Sequence, residues 1–116
     1  MQVPKKILDK FPKLSKEILL NNLSLPSGKN KMILDTDTAN EIDDQFALVQ
    51  MLFSKEKIEV QSINAAPFSM NSRSDNPKKG MELSYDEIFR LLEKINFKKN
   101  NFVFKGSTKY VGFEKK

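Results

Sequence analysis

Five of the chain's 15 acidic residues fall within ten positions, at Asp35, Asp37, Glu41, Asp43 and Asp44. The chain as a whole carries a net charge of +5, so this cluster is not the by-product of an acidic composition. Carboxylates brought this close repel, and raise one another's pKa unless a cation sits among them. A hard cation with oxygen ligands is the usual partner, and Ca²⁺ tolerates the irregular, high coordination that a loop running into a helix supplies. The dipole of a helix accounts for acids in its first turn, which explains Asp43 and Asp44 if they open one. It does not explain Asp35 and Asp37, which follow an apolar run.

The elements that must hold these acids can be read from the apolar pattern. Lys31-Met32-Ile33-Leu34 is a short apolar run entering a polar turn, the signature of a buried strand. Ile42, Phe46, Val49 and Leu52/Phe53 recur at helical spacing, which predicts a helix over residues 42–53 with these side chains as its core stripe. Ile58–Ile63 is β-like and gives way to Asn64-Ala65-Ala66-Pro67, where the proline stops the strand. A polar loop spans Phe68–Gly80. Ser84-Tyr85-Asp86-Glu87 then has the spacing of a capping box, followed by Ile88, Leu91, Leu92 and Ile95 along one helical face. Asn101–Phe104 is a third strand, closed by Lys105-Gly106-Ser107. Residues 1–30 read as a helical extension with two weak helical pieces, the second over Lys16–Leu23, and a turn at Pro26-Ser27-Gly28.

The order β-α-β-α-β predicts an α/β fold, the N-terminal part of an open, mostly parallel, Rossmann-like sheet. Such sheets bind ligands beyond the carboxyl ends of their strands. Asp35–Glu41 and Ala65–Arg73 follow the first two strands and lie at that edge, so the two loops can face each other.

Composition narrows the function classes. With neither cysteine nor histidine, the chain has no disulfide, no thiol nucleophile, no zinc finger and no histidine-based triad. The lysines are scattered or paired rather than gathered into a basic run, and no nucleic-acid-binding signature accompanies them; a solvated surface is expected, with no nucleic-acid partner. No apolar run approaches the roughly 20 residues that cross a bilayer, and the first residues lack the apolar core of a signal peptide. The expected setting is cytoplasmic, without a membrane partner.

Three acidic motifs compete for the loop. An EF-hand wants glycine at its sixth position and a bidentate glutamate at its twelfth; counted from Asp35 these are Asn40 and Phe46, and the reading fails. A haloacid-dehalogenase-type phosphatase would use Asp35 as nucleophile and Asp37 as acid/base in a D-x-D-x-(T/V) pattern. Ala39 occupies its last position, and the Asp43-Asp44 pair would have no task. The third pattern fits better. Ile33-Leu34-Asp35-Thr36-Asp37, a short loop, and Ile42-Asp43-Asp44-Gln45-Phe46-Ala47-Leu48 together resemble the inosine/uridine-preferring nucleoside hydrolases. Thr38-Ala39-Asn40-Glu41 replaces the commoner Pro-Gly turn, which resembles a subgroup with an N-E-I-D-D-Q loop. Ala65–Phe68, Gly80–Glu82 with Ser84–Glu87, and Val103–Ser107 are similar to that subgroup as well, so the resemblance spans about residues 31–111.

That resemblance implies a Ca²⁺-dependent hydrolase of ribonucleosides, with residues 31–116 as part of its domain. Asp37 would ligate Ca²⁺ and help activate the attacking water. Asp44 would be a second Ca²⁺ ligand near a ribose hydroxyl, Asp43 would bond the ribose hydroxyls, and Asp35 would brace the loop. Asn64, Asn71 and Arg73 are candidates to reach substrate from the second loop, where Pro67-Phe68 stands in place of the family's Gly-Asn pair. The methionines are read as core filler. Cleaving an N-glycosidic bond passes through an oxocarbenium-like sugar, which carboxylates stabilise. Family members are longer than this chain, so the expectation is a portion that is inactive alone and that pairs with a missing C-terminal portion or a full-length relative. A small Ca²⁺- or sugar-binding module is the non-catalytic alternative.

Overall fold

The computed structural model describes residues 13–112. The first of the two expected helical pieces lies outside the described residues; the second is α1, Lys16–Asn22, which Ser15 caps by accepting from the Ile18 amide and which buries none of its residues. β1 runs Asn30–Thr36, α2 Ile42–Phe53, β2 Ile58–Ala65, α3 Pro77–Lys94 and β3 Val103–Lys105. The strands form one open parallel sheet in the order β1-β2-β3. This is the expected β-α-β-α-β alternation of an α/β fold. None of the described helices is long and apolar enough to cross a membrane.

Strands laid down in sequence order by right-handed crossovers place both connecting helices on one face of the sheet. α2 and α3 accordingly both pack on β2 and touch each other. The core between them and the sheet comprises Leu48, Met51 and Leu52 of α2, Met81, Ile88 and Leu92 of α3, Val60, Ile63 and Ala65 of β2, and Phe102. The opposite face of the sheet carries Ile33, Asp35, Asn64 and Phe104 in matching register, with Ile33 61% and Phe104 47% exposed.

Of the stripe expected to anchor α2, Leu52 is buried and Val49 packs against the core, while its other members face outward. Ile42, Phe46 and Phe53 are 67%, 69% and 66% exposed, while Leu48, Met51 and Leu52 are buried. α2 has two apolar faces, and α3 and β2 select the one that holds Leu48, Met51 and Leu52. Val49 joins the core only at its margin.

α3 also begins earlier than the capping-box pattern suggests. Asn76 is its N-cap, accepting from the Lys79 amide at 2.9 Å, and Pro77 occupies the first turn, where no amide donor is needed. Ser84 therefore sits mid-helix, fully buried, with its Oγ unpartnered, and Glu87 pairs with Arg90 instead of a cap. The helix ends on Asn96 in the left-handed region (φ 52°): its amide bonds the Glu93 carbonyl and the Phe97 amide bonds that of Leu92, the pairing of a Schellman motif.

The loop after β2 is pressed onto the first turn of α3 at Gly80. A Cβ there would lie 1.9 Å from the carbonyl oxygen of Phe68, so only glycine allows the approach. Helix propensity alone predicts that Gly80→Ala stabilises by about 1 kcal/mol. We expect the reverse, a loss of about 1–3 kcal/mol from the forced separation of loop and helix, measured by chemical denaturation.

Candidate functional site

The acidic loop is built on the last residue of β1. Side chains of a strand alternate between faces, so Thr36 points to the helix-covered side and Asp35 to the open side. Thr36 and Thr38 are buried, at 2% and 0% exposure. The Thr36 hydroxyl donates to Asp44 Oδ1 at 2.6 Å. Its only proton is thereby committed, so at the 2.8 Å contact between the two threonines the Thr38 hydroxyl is the donor. Two buried hydroxyls thus form a short chain that ends on the first-turn carboxylate of α2.

Asp37 begins the turn between β1 and α2. The Asn40 amide bonds its carbonyl at 2.7 Å, and Asn40 Nδ2 donates to its Oδ2 at 3.0 Å. Glu41 then opens α2 without a side-chain cap, and Asp43 and Asp44 lie in its first turn, where the helix dipole favours carboxylates.

The second loop closes on the first. Asn71 Nδ2 donates to Asn40 Oδ1 at 2.6 Å, and Arg73 Nη1 donates to the Ala39 carbonyl. Asn71 holds its own loop as well, its Oδ1 accepting the Arg73 and Ser74 amides at 2.9 and 3.0 Å. The two loops at the carboxyl edge of the sheet therefore meet through side chains. Beside the junction lies a hollow of about 500 Å³ lined by Ala39, Arg73, Leu83, Asp86, Glu87 and Arg90.

Asp44 is the electrostatic centre. Its carboxyl is raised above its ordinary 3.8, chiefly because burial disfavours the charge. The neighbouring carboxyl of Asp37, through its charge and a hydrogen bond, and the charge of Asp43 raise it further, while the Thr36 hydroxyl works the other way. Asp37 and Asp44 are thus within interaction distance, with a partly desolvated charge between them. A hard cation bound there would offset the repulsion and favour the ionised form.

The residues singled out in the sequence separate into two groups. Asp37, Asp43, Asp44, Asn71 and Arg73 gather at the loop junction, where Asn71 and Arg73 act on the first loop's side chain and backbone. Asp35 and Asn64 do not join them; Asn64 Nδ2 donates to Asp35 Oδ1 at 2.7 Å on the open face of the sheet. Among the described residues no three Asp or Glu side chains converge into a metal-holding group. Thr36, Thr38 and Asn40, which hold the two carboxylates, escape a reading focused on charged types, although Asp35-Thr36-Asp37-Thr38 alternates hydroxyl and carboxylate at a strand end.

Comparisons with family models, curated proteins and solved structures gave no match.

The raised Asp44 carboxyl has a consequence for stability. Below 3.8 both folded and unfolded chains hold Asp44 neutral. As pH rises through 3.8 the unfolded chain ionises first, so stability falls until the folded group has ionised as well. Asp44→Asn keeps an acceptor for Thr36 and removes the charge. It should be more stable than the parent at pH 7, with the difference vanishing near pH 3 in thermal melts. Thr36→Val, which removes both the donor to Asp44 and the acceptor for Thr38, should cost about 1–3 kcal/mol in the same melts.

Proposed function

We propose that this chain carries the metal- and ribose-facing loops of a Ca²⁺-dependent hydrolase that cleaves the N-glycosidic bond of ribonucleosides. The single observation that carries the reading is the Asp37–Asp44 pair, two mutually repelling carboxyls at the carboxyl edge of a parallel sheet, one held by the buried Thr36 hydroxyl and the other by Asn40. Like-charged groups are retained in such a geometry where a ligand makes use of them.

The donor set suits the ion, since the carboxylates of Asp37 and Asp44 are the hard oxygens that Ca²⁺ prefers. When bound, Ca²⁺ would lower the pKa of a bound water and orient the ribose diol. Asp37, held by Asn40, would accept a proton from the attacking water. Asp43, on the exposed first turn of α2, would hydrogen-bond the ribose hydroxyls, and Asp44 would approach one of them while stabilising positive charge on the sugar. Asn71 and Arg73 fix the shape of the acidic loop from the facing loop, and their remaining donors would reach a substrate seated there. Asp35 has a bracing role through Asn64. The same pairing favours this reading over a phosphatase, which would need Asp35 and Asp37 to face one phosphoryl group.

Two carboxylates supply few of the six to eight oxygens that Ca²⁺ takes. Further ligands and an acid for the departing base would come from water, a further segment or a partner chain, a full-length relative included. The absence of cysteine agrees with a cytoplasmic setting.

Titration calorimetry with Ca²⁺ should give weak binding to the chain, with Kd on the order of 10⁻³ M, and Asp44→Ala should abolish it. Equal heats from parent and variant would remove the metal assignment. Inosine and uridine should release no base with this chain by itself; measurable turnover would show that the described acids are sufficient and overturn the need for a partner.

A further inference from the structure

The loop after β3 reaches the acidic loop by way of the loop after β2. Gly106 begins it: its amide bonds the Ala65 carbonyl at 3.0 Å, and a Cβ at this position would lie 2.4 Å from that oxygen. The end of β3 is thereby held directly against the end of β2. Ser107 then bends the chain, its hydroxyl accepting from the Lys109 amide at 3.1 Å and donating to the Lys109 carbonyl at 2.6 Å. That bend delivers Tyr110, whose hydroxyl meets the Ser69 hydroxyl at 3.0 Å.

Ser69 and Asn71 flank Met70, which stands in the left-handed region at φ 67°. A residue with a Cβ is disfavoured there, and methionine has no short polar side chain to offset the cost locally. Among the described residues its side chain is 94% exposed, so it is the neighbours that impose the conformation. On one side Ser69 is tied to Tyr110. On the other, hydrogen bonds run in one direction toward the acidic loop. The Arg73 and Ser74 amides donate to Asn71 Oδ1, Asn71 Nδ2 donates to Asn40 Oδ1, and Asn40 Nδ2 donates to Asp37 Oδ2. Each amide polarises the next, so the donor that reaches Asp37 is strengthened by those behind it.

We propose that Tyr110 is a positioning residue for Asp37, acting through Ser69, the strained backbone of Met70 and the Asn71–Asn40 amide pair. The left-handed residue is what couples the two anchors. A disfavoured conformation persists only while the surroundings fix it from both sides. Releasing Ser69 lets Met70 relax to an ordinary conformation, which turns Asn71 away from Asn40. Asp37 then loses the firm donor that sets its orientation. A third loop, through residues that carry no charge, thus sets the direction in which Asp37 meets its ligand. That the ligand is a cation rests on the function proposed above; the positioning of Asp37 does not.

Amide hydrogen exchange and carbon-13 NMR of the chain in a chelator test the positioning without a cation. Tyr110→Phe and Ser69→Ala should each speed exchange of the Arg73 and Ser74 amides about fivefold. Each should also shift the Asp37 carboxyl signal, while the Leu48 and Leu52 amides of α2 exchange as in the parent. The double variant should do no more than either single one, because both remove the same bond. Met70→Gly adopts the left-handed conformation freely, and in that background Tyr110→Phe should leave the Asp37 signal in place. An Asp37 signal indifferent to Tyr110→Phe overturns the proposal, as do additive effects in the double variant or an undiminished effect beside Met70→Gly. Calorimetry adds the cation: Tyr110→Phe should weaken Ca²⁺ binding about threefold. A parent that binds no Ca²⁺ removes the cation reading, and the spectra in chelator still decide the positioning.

Discussion

Two carboxyls that repel each other, Asp37 and Asp44, are kept close at the end of β1, and the local structure is organised around tolerating that contact. A single buried hydroxyl, that of Thr36, donates to Asp44 and accepts a hydrogen bond from Thr38. Its bond favours the ionised carboxyl, against burial and the charges of Asp37 and Asp43. In the low-dielectric surroundings of a strand end such a bond is stronger than in water, and its loss more costly. The turn from Asp37 to Asn40 follows from the same need, since Asn40 donates to Asp37 as Thr36 does to Asp44.

The parallel sheet makes this contact possible. Parallel strands send successive loops to one edge, so the loop after β2 arrives beside the loop after β1 and reaches it through Asn71 and Arg73. Gly80 lets that second loop lie against α3, and the packed core of α2, α3 and β2 holds the platform. Among the described residues, β1 pairs on one side only. The acidic loop emerges at the end of that same strand, so the pairing of β1 with β2 fixes the base of the loop.

The sequence made the element order legible because each strand is a short apolar run and each helix has a regular apolar period. It misled where a local pattern had two solutions. The stripe Ile42, Phe46, Val49 and Leu52/Phe53 competes with Leu48, Met51 and Leu52; packing on α3 and β2 keeps Leu52 and turns Ile42, Phe46 and Phe53 outward. Ser84 and Glu87 have the spacing of a capping box, but the Asn76-Pro77 pair starts the helix two turns earlier and carries the Ser-x-x-Glu pattern into its interior. Within the site, the meeting of the two loops followed from topology. Asn64 could not be placed by alternation, because the extra residue in β2 between Val60 and Ile63 changes which face later residues occupy. The buried threonines were hidden for another reason: their role is to hold charges, and nothing in their type announces it.

The Asp37–Asp44 contact depends on a partly desolvated Asp44 carboxyl that lies beside Asp37. Carbon-13 NMR titration of the side-chain carboxyls, with and without Ca²⁺, measures this most directly. Asp44 should titrate above 3.8 in the free chain, and Ca²⁺ should move its midpoint down as the ion favours the ionised form. An Asp44 carboxyl that titrates at or below 3.8, unmoved by Ca²⁺, would contradict the account.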